Sequence, residues 1–323
     1  MLPQEKGGNN SRAEITIFDR KMMLSRQTRR AYTTSVGASR PRHTVAITRE
    51  IPGSFINAVA AHSANQVSDV SDVSLALARK QHHDYLSNLR KHIPTICLPP
   101  IQSQPDCLFV EDTVVAIGDT AVITQPGHLS RRGEVDSIKT MLQQLGMANM
   151  YDMREIAGEG ATCDGGDVMF TGRHLFVGIS ARTNNDGFEF LSDAFARHGL
   201  AADSIILVPP VAAGKEVLHL KSAVTHIDKH TLLAPTGYIG DTVLEALGAA
   251  ERGYEAIRLP DILSCNAVAV NGHILAQDSK CEISRYLIEQ ACNKRNLGLT
   301  FVDTSELAKK DGALTCCSVL LSV

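Results

Sequence analysis

The sequence predicts an α/β fold: a five-fold pseudosymmetric ring of ββαβ units whose first unit is closed by the C-terminal strand. Three observations predict it. From Thr44 onward, two short apolar runs, an amphipathic stretch and a third apolar run recur every roughly 45–55 residues, the mark of a repeat architecture. Turn residues separate the first two runs of each complete unit, most clearly Asn271-Gly272, a strong hairpin signal between apolar runs. The first unit lacks one strand, and the chain ends on a spare one, Cys317 to Val323, whose return removes a sheet edge.

The first unit is predicted to hold a strand from Thr44 to Thr48, a helix near Ser74 to Leu89 and a strand from Thr95 to Leu98. In the second, a strand from Leu108 to Ile117 turns at Gly118-Asp119-Thr120 and returns from Ala121 to Thr124. The helix from Gly133 to Leu145 carries Val135, Ile138, Leu142 and Leu145 on one face, and an extended run follows from Met150 to Ile156. The third has strands at Val168 to Phe170, His174 to Ile179 and Ser204 to Val208, with a helix from Gly187 to His198. The fourth runs Ala223 to Ile227, Thr231 to Ala234, a helix near Thr242 to Arg252, then Tyr254 to Leu259. The fifth runs Asn266 to Val270, His273 to Ala276, a helix near Cys281 to Lys294, then Leu299 to Val302.

A chain of 323 residues, 44% hydrophobic and 21% charged, has length for a sizeable core and a soluble-globular composition. Its net charge of −3 gives no general reason to expect nucleic acid, and no apolar run approaches the roughly 20 residues of a membrane-spanning helix. A monomer or weak homo-oligomer is expected, and a small-molecule substrate is expected from the motifs rather than from composition. The eight cysteines are scattered without CxxC or zinc-finger spacing, which predicts reduced thiols.

Residues 1–43 are set apart as a basic N-terminal extension ahead of a catalytic domain spanning 44–323. The extension carries nine Lys/Arg against three acids, all of which precede Arg20. Its Arg- and Ser/Thr-rich text from Met22 resembles a mitochondrial presequence, although a disordered basic tail has the same composition. A cytoplasmic location is expected, with the mitochondrial matrix as the alternative this segment raises.

A ring of repeats places its pocket on the central axis, where equivalent positions of each unit meet. Polar residues recur at that position, ahead of the first strand of a unit. They are Asp106 and Asp112 in the second, Asp164 and Asp167 in the third, His219 in the fourth, and Cys316 at the closure. Neighbouring residues of a strand face opposite sides, so Cys316 is expected to look onto the axis while Cys317 packs in the core. Taken singly, these residues have plain readings as well: buried thiols, turn carboxylates, a hydrogen-bonded histidine. Asp167 reads as a turn residue, and His82-His83 as a surface or capping pair.

The motifs supply a sharper expectation. Pro105-Asp106-Cys107-Leu108-Phe109-Val110-Glu111-Asp112, Ser130-Arg131-Arg132, Ala161-Thr162-Cys163-Asp164-Gly165-Gly166-Asp167-Val168, Arg182-Thr183-Asn184, Leu218-His219-Leu220-Lys221-Ser222 and Leu314-Thr315-Cys316-Cys317-Ser318 stand in this order. Together they resemble the dimethylarginine dimethylaminohydrolases, guanidine-modifying enzymes of the pentein fold. The resemblance covers about residues 44–323 and implies hydrolysis of Nω-methylated arginine to citrulline and an alkylamine.

It also implies roles. Cys316 would be the nucleophile, His219 the proton carrier and Asp164 its carboxylate partner. Asp112 would hold the guanidinium, Asp106 the α-amine, and Arg131 and Arg182 the α-carboxylate, with Glu111 contributing through backbone and side chain. No metal or organic cofactor is implied, though a thiolate–imidazole pair at Cys316 and His219 could take an inhibitory zinc ion.

The chain departs from the vertebrate pattern at the pocket rim, with Lys310 and Ala313 in place of Val and Leu. Ala60 stands where a lid residue is expected. The alternatives are an arginine deiminase-like hydrolase that releases ammonia, and a non-catalytic sensor of arginine analogues.

Overall fold

Each predicted unit folds as its own three-stranded sheet. The structure is a computed structural model that describes residues 42–59, 73–210 and 217–323; residues 1–41 of the basic N-terminal segment and Ala60 lie outside them. The first sheet joins β1 (Val45–Arg49), helix α1 (Leu75–Leu89) and β2 (Thr95–Leu98) to the last strand of the chain, β15 (Val319–Leu321). The second holds β3 (Val114–Ile117), β4 (Thr120–Ile123), α2 (Val135–Gln144) and β5 (Asn149–Asp152), followed by the single-turn α3 (Met153–Ile156). The third holds β6 (Val168–Phe170), β7 (Leu175–Gly178), α4 (Asn185–Arg197) and β8 (Ile205–Val208). The fourth opens with the short α5 (Leu220–Ala223) and continues with β9 (Thr225–Asp228), β10 (Thr231–Pro235), α6 (Tyr238–Ala246) and β11 (Glu255–Leu259). The fifth holds β12 (Ala267–Val270), β13 (His273–Gln277), α7 (Glu282–Lys294) and β14 (Gly298–Val302), and α8 (Ser305–Ala308) follows.

The pairing is the same throughout. The central strand is antiparallel to one neighbour and parallel to the strand that follows the helix, as a tight turn and a helical crossover require. In the fifth unit the expected turn is present. Asn271 and Gly272 both have positive φ, at 47° and 88°, between the paired residues Val270 and His273. The termini meet as predicted: Val45 pairs with Leu321 and Ile47 with Val319 in antiparallel register. Helix ends are capped locally, with Ser74 accepting from Leu77 N–H and Asn184 from Gly187 N–H.

Five apolar clusters, each shared by two successive units, close the ring. Alternate residues of a central strand face different clusters, because side chains alternate across a strand. Leu232 packs with Phe176 of the third unit while Leu233 packs with Ile274 of the fifth. Ile274 in turn faces the fourth unit while Leu275 packs with Tyr85 and Leu89 of the first. Val45 and Ile47 then pack with Ile123 and Ile138 of the second, and Val122 with Val177 of the third. Each central strand is thus buried on both faces, one against the unit before it and one against the unit after.

The main departure from the predicted elements comes just before the first strand of a unit. Leu108 to Thr113 does not join β3; Val110–Thr113 is a 3-10 turn. Similar turns occupy Gly165–Asp167, Leu263–Cys265 and Thr315–Cys317, and α5 takes this place in the fourth unit. Cys317 therefore does not begin the last strand. A 3-10 turn advances three residues per revolution, so Cys316 and Cys317 diverge by about a third of a turn rather than by strand alternation. Cys317 is buried in the core shared by the fifth and first units, and Cys316 is half-buried beside it. Two smaller corrections follow from packing. Helix α6 starts at Tyr238, after Gly237 at positive φ, earlier than Thr242. His82 is buried and bonds through Nε2 to Arg49 O at 2.9 Å, whereas His83 is exposed as expected.

Candidate active site

The turns that precede the first strands bring the predicted residues to one pocket. Asp106, Asp112, Asp164 and His219 line it with Arg131, Arg182, Lys310 and Cys316. Val59, Phe109, Leu218 and Asp311 complete the lining. Residues up to 257 positions apart in sequence, Val59 and Cys316, meet here.

His219 caps the start of α5 and is buried. Its Nε2 lies 3.1 Å from Asp164 Oδ2. Asp164 is itself fixed: Oδ1 accepts from Gly127 N–H at 2.8 Å, and its own N–H donates to Thr183 Oγ1 at 3.1 Å. Asp167 has the structural part expected of it. It accepts from the hydroxyls of Ser180 and Thr183 at 2.6 and 2.7 Å and from Leu220 N–H at 3.0 Å, which anchors the turn carrying His219. Burial disfavours a charged imidazole, but Asp112, Asp167 and Asp164 outweigh it and raise His219 to about 9.

Asp112 accepts from Gly166 N–H at 2.8 Å through Oδ1, and its Oδ2 pairs with Arg131 Nη1. Burial opposes ionisation, yet the His219 and Arg131 charges outweigh it and hold this carboxyl below the usual range. The approach of Asp112 to His219 leaves no room for a side chain at Gly166. A Cβ there would lie 2.6 Å from His219 Nδ1 and 2.8 Å from Asp112 Oδ1. The Cys316 thiol is pushed up by burial and by the Glu111 and Asp112 charges, so the resting pocket favours an uncharged thiol beside a charged imidazole. One ligand atom each from Asp112, Asp164 and His219 lies within 4.8 Å of the other two, a donor set that could also accept a cation.

At the other end, Asp106 accepts from Val59 N–H at 3.1 and 3.3 Å, and burial raises its carboxyl against the pull of Arg131. Arg182 keeps a buried Nη1 with no hydrogen-bond partner among the described residues. Arg131 lines the pocket with most of its donors already engaged. Its Nε and Nη2 address Glu134, at 3.2 and 2.8 Å, and Nη2 also donates to Phe109 O at 3.0 Å. Burial pushes the Glu134 carboxyl up to about 7, against the pull of Arg131.

Glu111 is not among the lining residues; its side chain is buried against Lys221, Oε1 to Nζ at 2.5 Å. Lys221, Glu134 and Asn266 were not singled out from the sequence. Asn266 accepts from Thr315 N–H and donates to Lys221 O, both at 3.1 Å, tying the nucleophile's turn to the fourth unit. The one available sequence signal was the three-residue spacing of Arg131 and Glu134, which places them on one side of a helical turn.

A pentein ring whose axial pocket joins a cysteine, a carboxylate-bound histidine and further carboxylates defines a hydrolase of C–N bonds in amidines. The comparisons with known proteins agree. The family model for arginine deiminase matches residues 23–256, so the match begins inside the basic N-terminal segment. The N(G),N(G)-dimethylarginine dimethylaminohydrolase of Pseudomonas aeruginosa is 29% identical over 254 residues, which cover 76% of this chain and 88% of that protein. Its namesake from Streptomyces coelicolor is 31% identical over 250 residues, 77% of this chain and 88% of that one. A solved structure of a mutant of the Pseudomonas aeruginosa enzyme, complexed with citrulline, superposes with a TM-score of 0.72 at 26% identity, covering 86% of this chain and 99% of that chain. The chain belongs to the arginine deiminase family and, within it, to the dimethylarginine dimethylaminohydrolases.

Proposed function

We propose that this protein hydrolyses Nω-methylated L-arginine, asymmetric dimethylarginine or monomethylarginine, to L-citrulline and dimethylamine or methylamine. The observation that carries the reading is the convergence of Cys316, His219, Asp112 and Asp164 on one pocket that also holds Arg182.

A guanidinium carbon is a poor electrophile because its charge is spread over three nitrogens. Carboxylates hold such a cation in plane through charge-assisted hydrogen bonds, the part given to Asp112 and Asp164. Substrate entry also brings a positive charge beside Cys316, which offsets the Glu111 and Asp112 charges that disfavour its thiolate. The thiol then releases its proton to solvent, and the thiolate attacks the central carbon.

A C–S bond forms. The imidazolium of His219 passes its proton to the nitrogen of the departing amine as the C–N bond breaks, leaving an S-alkylthiouronium on Cys316. Neutral His219 next takes a proton from water, whose oxygen attacks the same carbon. The hydroxyl proton of the adduct passes to solvent as the C–S bond breaks, the thiolate returns and neutral citrulline leaves. Asp106 meets the α-amine and Arg182 the α-carboxylate, for which a planar guanidinium is well suited.

The test is to incubate the protein with dimethylarginine and, separately, with arginine, and to measure citrulline together with the released amine. Dimethylamine release that disappears in Cys316→Ser is the expected result. Ammonia from arginine as the main product would move the assignment to a deiminase. Tight binding without turnover of either compound would leave a sensor.

A further inference from the structure

Arg131 divides its donors unequally. A guanidinium has five N–H groups in a fixed fork. Here the Nε side of the fork meets Glu134, with Nε 3.2 Å from both carboxylate oxygens and Nη2 2.8 Å from Oε2. Nη2 also meets Phe109 O at 3.0 Å, and Nη1 meets Asp112 Oδ2. At most one Nη1 hydrogen is left, so Arg131 cannot grip a substrate carboxylate with two prongs as it is placed. Through Nη1 it is tied to Asp112, at the guanidinium end of the pocket.

The effect on Asp112 is geometric and electrostatic. Each carboxylate oxygen has two lone-pair sites. Gly166 N–H takes one on Oδ1 and Arg131 takes one on Oδ2, which leaves one on each oxygen for a two-pronged guanidinium. Arg131 alone would nonetheless cancel the charge that attracts the substrate. Glu134, 1% exposed and absent from the pocket lining, supplies the balancing negative charge. Glu134, Arg131 and Asp112 together carry −1, whereas Arg131 and Asp112 by themselves carry none.

We propose that Glu134 is a positioning and specificity-determining residue. By pairing with Arg131 it preserves the net negative charge with which Asp112 selects a cationic guanidinium over a neutral ureido group. The proposal rests on the functional reading above for the identity of the ligands.

The experiment compares Glu134→Gln with the unaltered protein at pH 8. It measures KM and kcat for dimethylarginine and dissociation constants for arginine and citrulline. Arginine and citrulline share the α-amino acid end and differ in charge at the other. The near-isosteric loss of one charge should raise KM for dimethylarginine and Kd for arginine about tenfold, the equivalent of about 1.4 kcal/mol, while citrulline binding shifts by less than about twofold. The arginine-to-citrulline affinity ratio is read within folded molecules, so partial unfolding does not move it. Glu134→Asp keeps the charge and should keep the ratio, even if both affinities fall. Equal losses for arginine and citrulline in Glu134→Gln, or an unchanged ratio, would overturn the proposal, as would a ratio that falls equally in Glu134→Asp. If Glu134→Gln does not fold, the ratio in Glu134→Asp decides. Failure of the functional reading shows separately, as absence of dimethylarginine turnover in the unaltered protein.

Discussion

His219 Nε2 lies 3.1 Å from Asp164 Oδ2 with both side chains buried, so the imidazole faces a carboxylate that has little water to screen it. Asp164 acts on the imidazole together with Asp112 and Asp167. Asp112, Asp167 and Asp164 raise His219 from 6.5 to about 9, so the stability these carboxylates lend is fully present below about 6.5 and is lost as pH rises through about 9. Activity that needs the imidazolium should fall over the same alkaline range. In Asp164→Asn, the alkaline limb of kcat/KM should move toward neutral pH and kcat should drop at least about tenfold. A pH–rate profile from pH 6 to 10 checks this; an unmoved limb would show that Asp164 does not tune His219.

Burial and two carboxylates hold the resting Cys316 thiol protonated. Inactivation of the ligand-free protein by iodoacetamide, mapped to Cys316 by mass spectrometry, should therefore be slow at neutral pH and still rising above pH 9. A rate already at its plateau by pH 7 would mean that the thiolate forms without substrate.

Arg182 holds a buried Nη1 with no partner among the described residues, an arrangement that a bound carboxylate would satisfy. Arg182→Ala should weaken dimethylarginine and citrulline alike, by about 10- to 100-fold, since a charged hydrogen bond contributes about 1.5–3 kcal/mol. Arginine without its carboxylate, agmatine, should bind the variant and the unaltered protein equally. A loss confined to the cationic ligands would place Arg182 elsewhere in recognition.

Gly166 touches both halves of the chemistry. A methyl group there would lie 2.6 Å from His219 Nδ1 and 2.8 Å from Asp112 Oδ1, so Gly166→Ala must displace one of them. The expected cost is about 1–3 kcal/mol of stability, typical of overpacking, with kcat falling more than thermal stability alone would explain. Full activity in a folded Gly166→Ala protein would show that the His219–Asp112 spacing is not critical.

Saturating free zinc should inhibit, because Cys316 and His219 line the same pocket and a thiolate with an imidazole is a ready ligand set. Inhibition that persists in Cys316→Ala, read as displacement of a bound ligand, would assign the metal instead to Asp112, Asp164 and His219.

The order of units, the hairpin at Asn271-Gly272 and the return of the last strand to β1 were legible because strands and helices differ in hydrophobic period over short windows. The meeting of Asp112, Asp164, His219 and Cys316 was legible too, since equivalent places in a closed repeat must share the axis. The turns that hold them were not. A 3-10 turn of three or four residues has no period to read, so Val110–Thr113 passed for the start of a strand and Thr315–Cys317 for its leading edge. His82 looked like a surface residue for a related reason: its burial depends on Arg49 O, which β1 brings over from 33 residues away.

The sequence by itself determined the five-fold plan and the chemical types assembled at its centre. Both follow from local patterning repeated along the chain. Only the tertiary structure decided how the charges pair. Arg131 met Glu134 and Asp112, and Glu111 turned to Lys221, 110 residues away. The reason is that a buried charge takes whatever counter-charge the fold brings within hydrogen-bond reach, and that choice depends on distances in space that no spacing along the chain records.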